Sequence, residues 1–139
     1  MVPAPFELEL VAEGLGSVTD VTGDPTQTEQ MYVTTKAGRV LRVDTTTGAS
    51  TEILNIISQV ESEGSEMGLL SLAFDPDLAS NNFFYLFYTG PNDPTRRNQL
   101  SRFTYNPDTG QADPSSEMVV IAFQNFSIGH NGASVFFSP

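Results

Sequence analysis

Along almost the whole chain, apolar residues either alternate with polar ones or cluster in runs of about four to eight, rich in Val, Phe, Tyr and Thr. This period-two pattern predicts strands at 6–11, 17–22, 30–35, 39–44, 51–57, 69–74, 83–89, 99–105, 118–123 and 134–137. The punctuation between the runs is chemically specific. Lys36-Ala37-Gly38 and Thr46-Thr47-Gly48 put Gly where a hairpin needs positive φ, and Asn106-Pro107-Asp108-Thr109-Gly110 is a proline-initiated turn. Connections this short join antiparallel neighbours rather than crossovers. The only segment with helical character, 58–64, is short and polar, and it reads as a loop with at most one turn. The fold class is therefore all-β, with little helix.

A weak internal repeat refines this picture. Val43-Asp44-Thr45-Thr46-Thr47-Gly48 followed by Glu52-Ile53-Leu54 recurs as Tyr105-Asn106-Pro107-Asp108-Thr109-Gly110 followed by Glu117-Met118-Val119-Val120. Each copy carries four strand-like runs, and a spacing of roughly 50 to 60 residues suits a blade of a β-propeller with one long loop. A third copy starts at Ser134-Val135-Phe136-Phe137. About four to eight blades are needed to close such a ring, so the reading is a single partial propeller domain over residues 1–139, truncated at its C-terminus. Either the polypeptide is a fragment, or it self-associates to cover the open blade faces. A β-sandwich with similar turns is the alternative.

Composition narrows the partners. Seventeen acidic against six basic residues give a net charge of −11, which repels phosphate backbones and anionic membrane surfaces, so nucleic acid is not an expected partner. The plain reading of that charge is solubility. No apolar stretch approaches the roughly 20 residues of a membrane span. Cysteine is absent, so no disulfide supports the fold. Met1-Val2-Pro3-Ala4-Pro5 has neither a basic region nor an apolar core, and no export signal is visible.

Four pieces, in order, resemble the glucose/sorbosone dehydrogenase family, the soluble quinoprotein sugar dehydrogenases. Glu13-Gly14-Leu15 is similar to the family's opening strand, and Ala37-Gly38-Arg39-Val40 with Val43-Asp44 to its first hairpin. Glu66-Met67-Gly68-Leu69-Leu70-Ser71-Leu72-Ala73-Phe74-Asp75-Pro76-Asp77 resembles a signature of an acid or amide, a glycine and two leucines before an apolar strand and a proline turn. His130-Asn131-Gly132-Ala133 resembles the histidine-asparagine-glycine-glycine motif that opens the next blade. Where Ser71 and Ala133 stand, the family commonly has Gly, so a backbone needing positive φ or close approach there would be strained by the added Cβ.

The resemblance implies a six-bladed propeller, of which this chain covers roughly the first two blades and the start of a third. It implies an oxidoreductase that converts an aldose sugar to its lactone with pyrroloquinoline quinone (PQQ) and calcium, passing electrons to a further acceptor, in a secreted or periplasmic setting. The basic residues for the quinone and the calcium ligands would lie in later blades, so this chain alone is expected to be inactive. The alternative is a non-catalytic propeller of the same family used as an extracellular binding module.

Within that chemistry, removing a hydroxyl proton while hydride leaves the same carbon calls for a base titrating near neutrality. His130 is the only imidazole, flanked by Gly129 and Gly132, and is the candidate catalytic residue. Glu66 is the candidate carboxylate beside it, or a direct sugar contact. Asn131 and Gly132 complete the candidate substrate- and cofactor-binding set. No metal ligand is assigned in this chain. Asp75-Pro76-Asp77 reads as a turn rather than a calcium loop. Arg96-Arg97 reads as a solvated loop pair, and the aromatic run from Phe83 to Tyr88 as a buried strand. Asn125-Phe126-Ser127 is a chance match to a glycosylation acceptor.

Overall fold

Eight of the ten alternating runs become strands, and an unpredicted two-residue strand makes nine, in a computed structural model that describes residues 6–91, 97–124 and 129–138. β1 (Val18–Gly23), β2 (Gln30–Thr35), β3 (Arg39–Asp44) and β4 (Ser50–Asn55) form one antiparallel sheet in simple order. β5 (Leu69–Phe74), β6 (Phe83–Thr89) and β7 (Arg97–Asn106) begin a second, in which β9 (Met118–Gln124) pairs with β7. The two-residue β8 (Gln111–Ala112) pairs with the far end of β7. The repeat seen in the sequence is thus two successive meanders, each with its Asx-type turn after the third strand. Arg96 and the Asn125 acceptor match lie outside the described residues.

Alternation explains how the sheets meet. On β6, Phe84, Leu86 and Tyr88 are buried and join Leu69, Leu72 and Phe103 in a core shared with Tyr32, Val40, Ile53, Leu54 and Ile56 of the first sheet. Phe84 stacks on Phe103 with ring centroids 5.9 Å apart. The other face of the first sheet, at Val33, Leu41 and Val43, is covered by Ala12 and Leu15. The second sheet's other face stays open. There Phe83, Tyr85 and Phe87 are half-buried, and every residue of β9 is exposed.

Two predicted strands do not form, and the reason is common to both. Residues 6–11 and 134–137 join no ladder among the described residues, and Phe6 and Leu8 are fully exposed. A strand exists only through its neighbour, which alternation alone does not supply. The loop with at most one turn expected at 58–64 is met by a single 3-10 turn at Ile57–Gln59, and a four-residue helix α1 (Leu78–Asn81) that the pattern did not predict follows the Asp75 turn.

Aspartates fix three of the turns. Asp44 Oδ1 accepts the Thr46 and Thr47 N–H groups at 2.9 and 2.8 Å, and Asp113 Oδ1 accepts Ser115 N–H at 2.8 Å. Asp75 accepts from Asn81 Nδ2 at 2.9 Å, from Asp77 N–H at 3.0 Å and from the Tyr85 hydroxyl at 3.1 Å. The Asn81 amide foremost holds Asp75 below the ordinary carboxylate range, while Asp44 and Asp113 are lowered chiefly by their turn donors. A lowered native pKa means these bonds stabilise the fold above the unfolded carboxylate pKa of about 4 and are lost as pH falls through the lower native values. Melting temperature is therefore expected to hold above about pH 4 and to decline below it. In Asp75→Asn the acid-side decline should be shallower, as scanning calorimetry across pH would read.

Candidate functional site

The site is organised by residues 64–69. Met67 and Leu69 are fully buried, so the intervening Gly68 is drawn against the β2–β3 hairpin, where its Leu69 neighbour donates N–H to the Lys36 carbonyl at 3.0 Å. Gly68 takes φ +145°, and a Cβ there would stand 2.5 Å from the Lys36 carbonyl oxygen. Its own carbonyl accepts the Thr89 N–H at 2.9 Å. This pins the chain on both sides and leaves Glu66 exposed at the rim.

Glu66 then captures the distant segment at 129–133. Its Oε2 accepts the backbone N–H of His130 and, at 3.2 Å, that of Asn131. Two successive N–H groups converging on one carboxylate oxygen form an anion-binding nest. His130 adopts φ +62°, a left-handed conformation unusual for a residue with a Cβ. Asn131, only 2 % exposed, turns inward, and its Oδ1 accepts from Asn98 Nδ2 at 3.0 Å. Asn98 in turn accepts from the Thr89 hydroxyl at 3.1 Å. An anchored Asn131 on one side and Glu66 on the other thus hold the His130 backbone in its strained state.

The four residues singled out from sequence therefore meet in one place. Glu66 reaches His130 through the backbone N–H, and the exposed imidazole makes no hydrogen bond among the described residues. The Asn131 amide faces Asn98 rather than open space. Gly132 and Ala133, with Glu66, Lys36, Met67 and Leu70, line a cavity of about 300 Å³, and His130 stands exposed beside it. A Cβ at Gly132 would touch nothing within 4 Å among the described residues. Neither Ser71 nor Ala133 takes positive φ, so their side chains bring no strain of that kind.

Sequence reasoning missed Lys36, the only lysine, whose Nζ donates to the Gly64 carbonyl at 2.7 Å while its stem walls the cavity. Its singularity in so acidic a chain was the available signal. It also missed Asp20, which bridges the two sheets. Among the described residues no group of three or more His, Cys, Asp or Glu side chains converges to hold a metal ion.

The chain is similar to several known proteins. Quinoprotein glucose dehydrogenase B of Acinetobacter calcoaceticus is 30% identical over 87 residues, covering 58% of this chain and 18% of its own length. The PQQ-bound aldose sugar dehydrogenase of Streptomyces coelicolor superposes with a TM-score of 0.74 at 27% identity, over 88% of this chain and 35% of that one. The apo-form soluble aldose sugar dehydrogenase of Escherichia coli shares the fold, with a TM-score of 0.68 at 18% identity over 82% of this chain and 32% of its own. The chain thus spans about a third of the length of these solved structures. The family model for glucose/sorbosone dehydrogenases matches residues 22–139, most of the sequence, and the chain belongs to that family.

Proposed function

We propose that this chain contributes one wall of the active site of a PQQ-dependent aldose dehydrogenase, with His130 as the general base. The observation that carries the reading is the Glu66 carboxylate gripping the His130 and Asn131 N–H groups beside an open cavity where the two sheets meet. Strained left-handed residues held from two sides cluster at functional sites. In this reading the two meanders are the first two blades of a six-bladed propeller, and residues 134–138 lead into a third. The open face of the second sheet is covered by the next blade or by self-association.

The residues present fit a flat, partly charged cofactor. Met67, Leu70 and Ala133 give apolar contact, the bare Gly132 lets a ring system approach, and Lys36 offers a cation nearby. When bound, the quinone supplies the hydride acceptor. His130 takes the proton of the sugar's anomeric hydroxyl, so the product is the lactone, and the backbone bonds from Glu66 hold the imidazole's stem during that transfer. In this reading calcium is held by other parts of the polypeptide; among the described residues no three His, Cys, Asp or Glu side chains converge. A secreted or periplasmic location and a separate electron acceptor follow from the same reading.

A second reading, a propeller used only as a binding surface, is favoured by the exposure of the imidazole. Kinetics separates the two. With PQQ, calcium and a reducible dye added to the full-length polypeptide, His130→Ala is expected to lower kcat for aldose oxidation by about 100-fold or more while KM moves little. An unchanged rate in that variant removes the proposed base.

A further inference from the structure

We infer that Asp20 and Ser71 form a clasp that positions the His130–Ala133 loop, a role resting on the function proposed above. β1 and β5 share no backbone ladder in the described sheets. Side chains tie them instead: Thr19 Oγ1 donates to the Leu69 carbonyl at 2.6 Å and Thr22 Oγ1 to the Leu72 carbonyl at 3.1 Å. Between these, Asp20 Oδ2 accepts both the Ser71 hydroxyl at 2.9 Å and the Leu72 N–H at 3.0 Å.

Ser71 is the atom-level link to the third element. With its proton committed to Asp20, the Ser71 oxygen presents its lone pairs to Val135, whose N–H donates to it at 3.0 Å. The hydroxyl is buried, with Ser71 only 1 % exposed, so water does not substitute for either partner. The segment entering the cavity is therefore held at two points. Glu66 fixes His130 and Asn131, Ser71 fixes Val135, and Gly132 and Ala133 between them face the cavity. Both anchors sit on the run 66–71, so β5 carries the loop as one piece. Ser71 thus adds a bond that a glycine at this position could not make, and acts as a positioning residue with no contact to substrate.

The test uses the full-length polypeptide with quinone, calcium and dye. Ser71→Ala is expected to lower kcat about 10-fold or more with KM changed less than about threefold, as a misplaced catalytic group does. Amide hydrogen exchange at Val135 should rise about 10-fold or more, since its acceptor is gone. Asp20→Ala keeps the Ser71 oxygen but frees its hydroxyl to turn, and should move both readouts the same way by about threefold or more, whereas Asp20→Asn keeps an acceptor oxygen and should stay closer to the parent in both. Should Ser71→Ala fail to fold, Ser71→Cys, of similar shape but a weak acceptor, should show the same changes at smaller size. Parent-like exchange and kcat in Ser71→Ala and Asp20→Ala overturn the clasp even where His130→Ala is inactive. Faster exchange at Val135 alongside an active His130→Ala upholds the clasp and overturns only the catalytic reading.

Discussion

Gly68→Ala is expected to lower the melting temperature by roughly 10 °C or more, the largest stability loss of any single change at the rim of the cavity. Two costs add. The residue sits at φ +145°, where a side chain is strained by about 1–3 kcal/mol. The new Cβ would also lie 2.5 Å from the Lys36 carbonyl oxygen and 2.8 Å from the Lys36 Cγ. The first of these atoms is backbone, and it accepts the Leu69 N–H, so it cannot yield without breaking the bond that docks β5 against the hairpin. Together the loss should reach about 3–5 kcal/mol, in the range of buried-core truncations. Gly132→Ala offers the control, because nothing lies within 4 Å of its added Cβ, and it should melt close to the parent. Thermal denaturation of the two variants side by side measures the contrast.

Glu66→Ala is expected to reduce aldose oxidation by about 100-fold while leaving the melting temperature nearly unchanged, because the side chain is exposed and acts on the loop rather than the core. Without the carboxylate, the left-handed His130 backbone loses one of its two holds, and the loop beside the cavity is expected to shift. Glu66→Gln discriminates between the candidate roles. An amide oxygen can still accept the His130 and Asn131 N–H groups, so if the loop bond is the role, activity should stay within about threefold of the parent. If instead the charge acted on the imidazole or the sugar, the Gln variant should fall with the Ala variant.

The strands were legible where chain neighbours supply the pairing. β2, β3, β5 and β6 begin and end where the alternation places them, since each is flanked by a hairpin turn or a sharp polar break. The segments at 6–11 and 134–137 carry the same pattern and stay unpaired, because period two describes a half-buried surface and not the partner that buries it. α1 escaped because Asp75-Pro76-Asp77 reads as a turn, and the helix is closed after one turn by Asn82 in the left-handed conformation. At the site, Glu66 and His130 were legible from their motifs, each short and glycine-rich. Their joining bond was not, for it spans 64 residues and uses the backbone rather than the ring. Asp20 was invisible for the same reason: as one acid in a polar-alternating strand it looks solvated, and only the approach of Ser71, 51 residues later, gives it work. Asn131 was read as a ligand contact because its inward turn depends on Asn98 being near.

The most direct test of His130 at the reaction centre is chemical protection. Diethyl pyrocarbonate modifies exposed imidazoles, and peptide mass mapping of the full-length polypeptide follows His130 separately from any other site. Modification of His130 is expected to proceed in step with loss of aldose oxidation, and prior addition of PQQ with the aldose should slow both together by about 10-fold. Complete modification of His130 with activity retained, or the same rate with and without the ligands, would contradict the account.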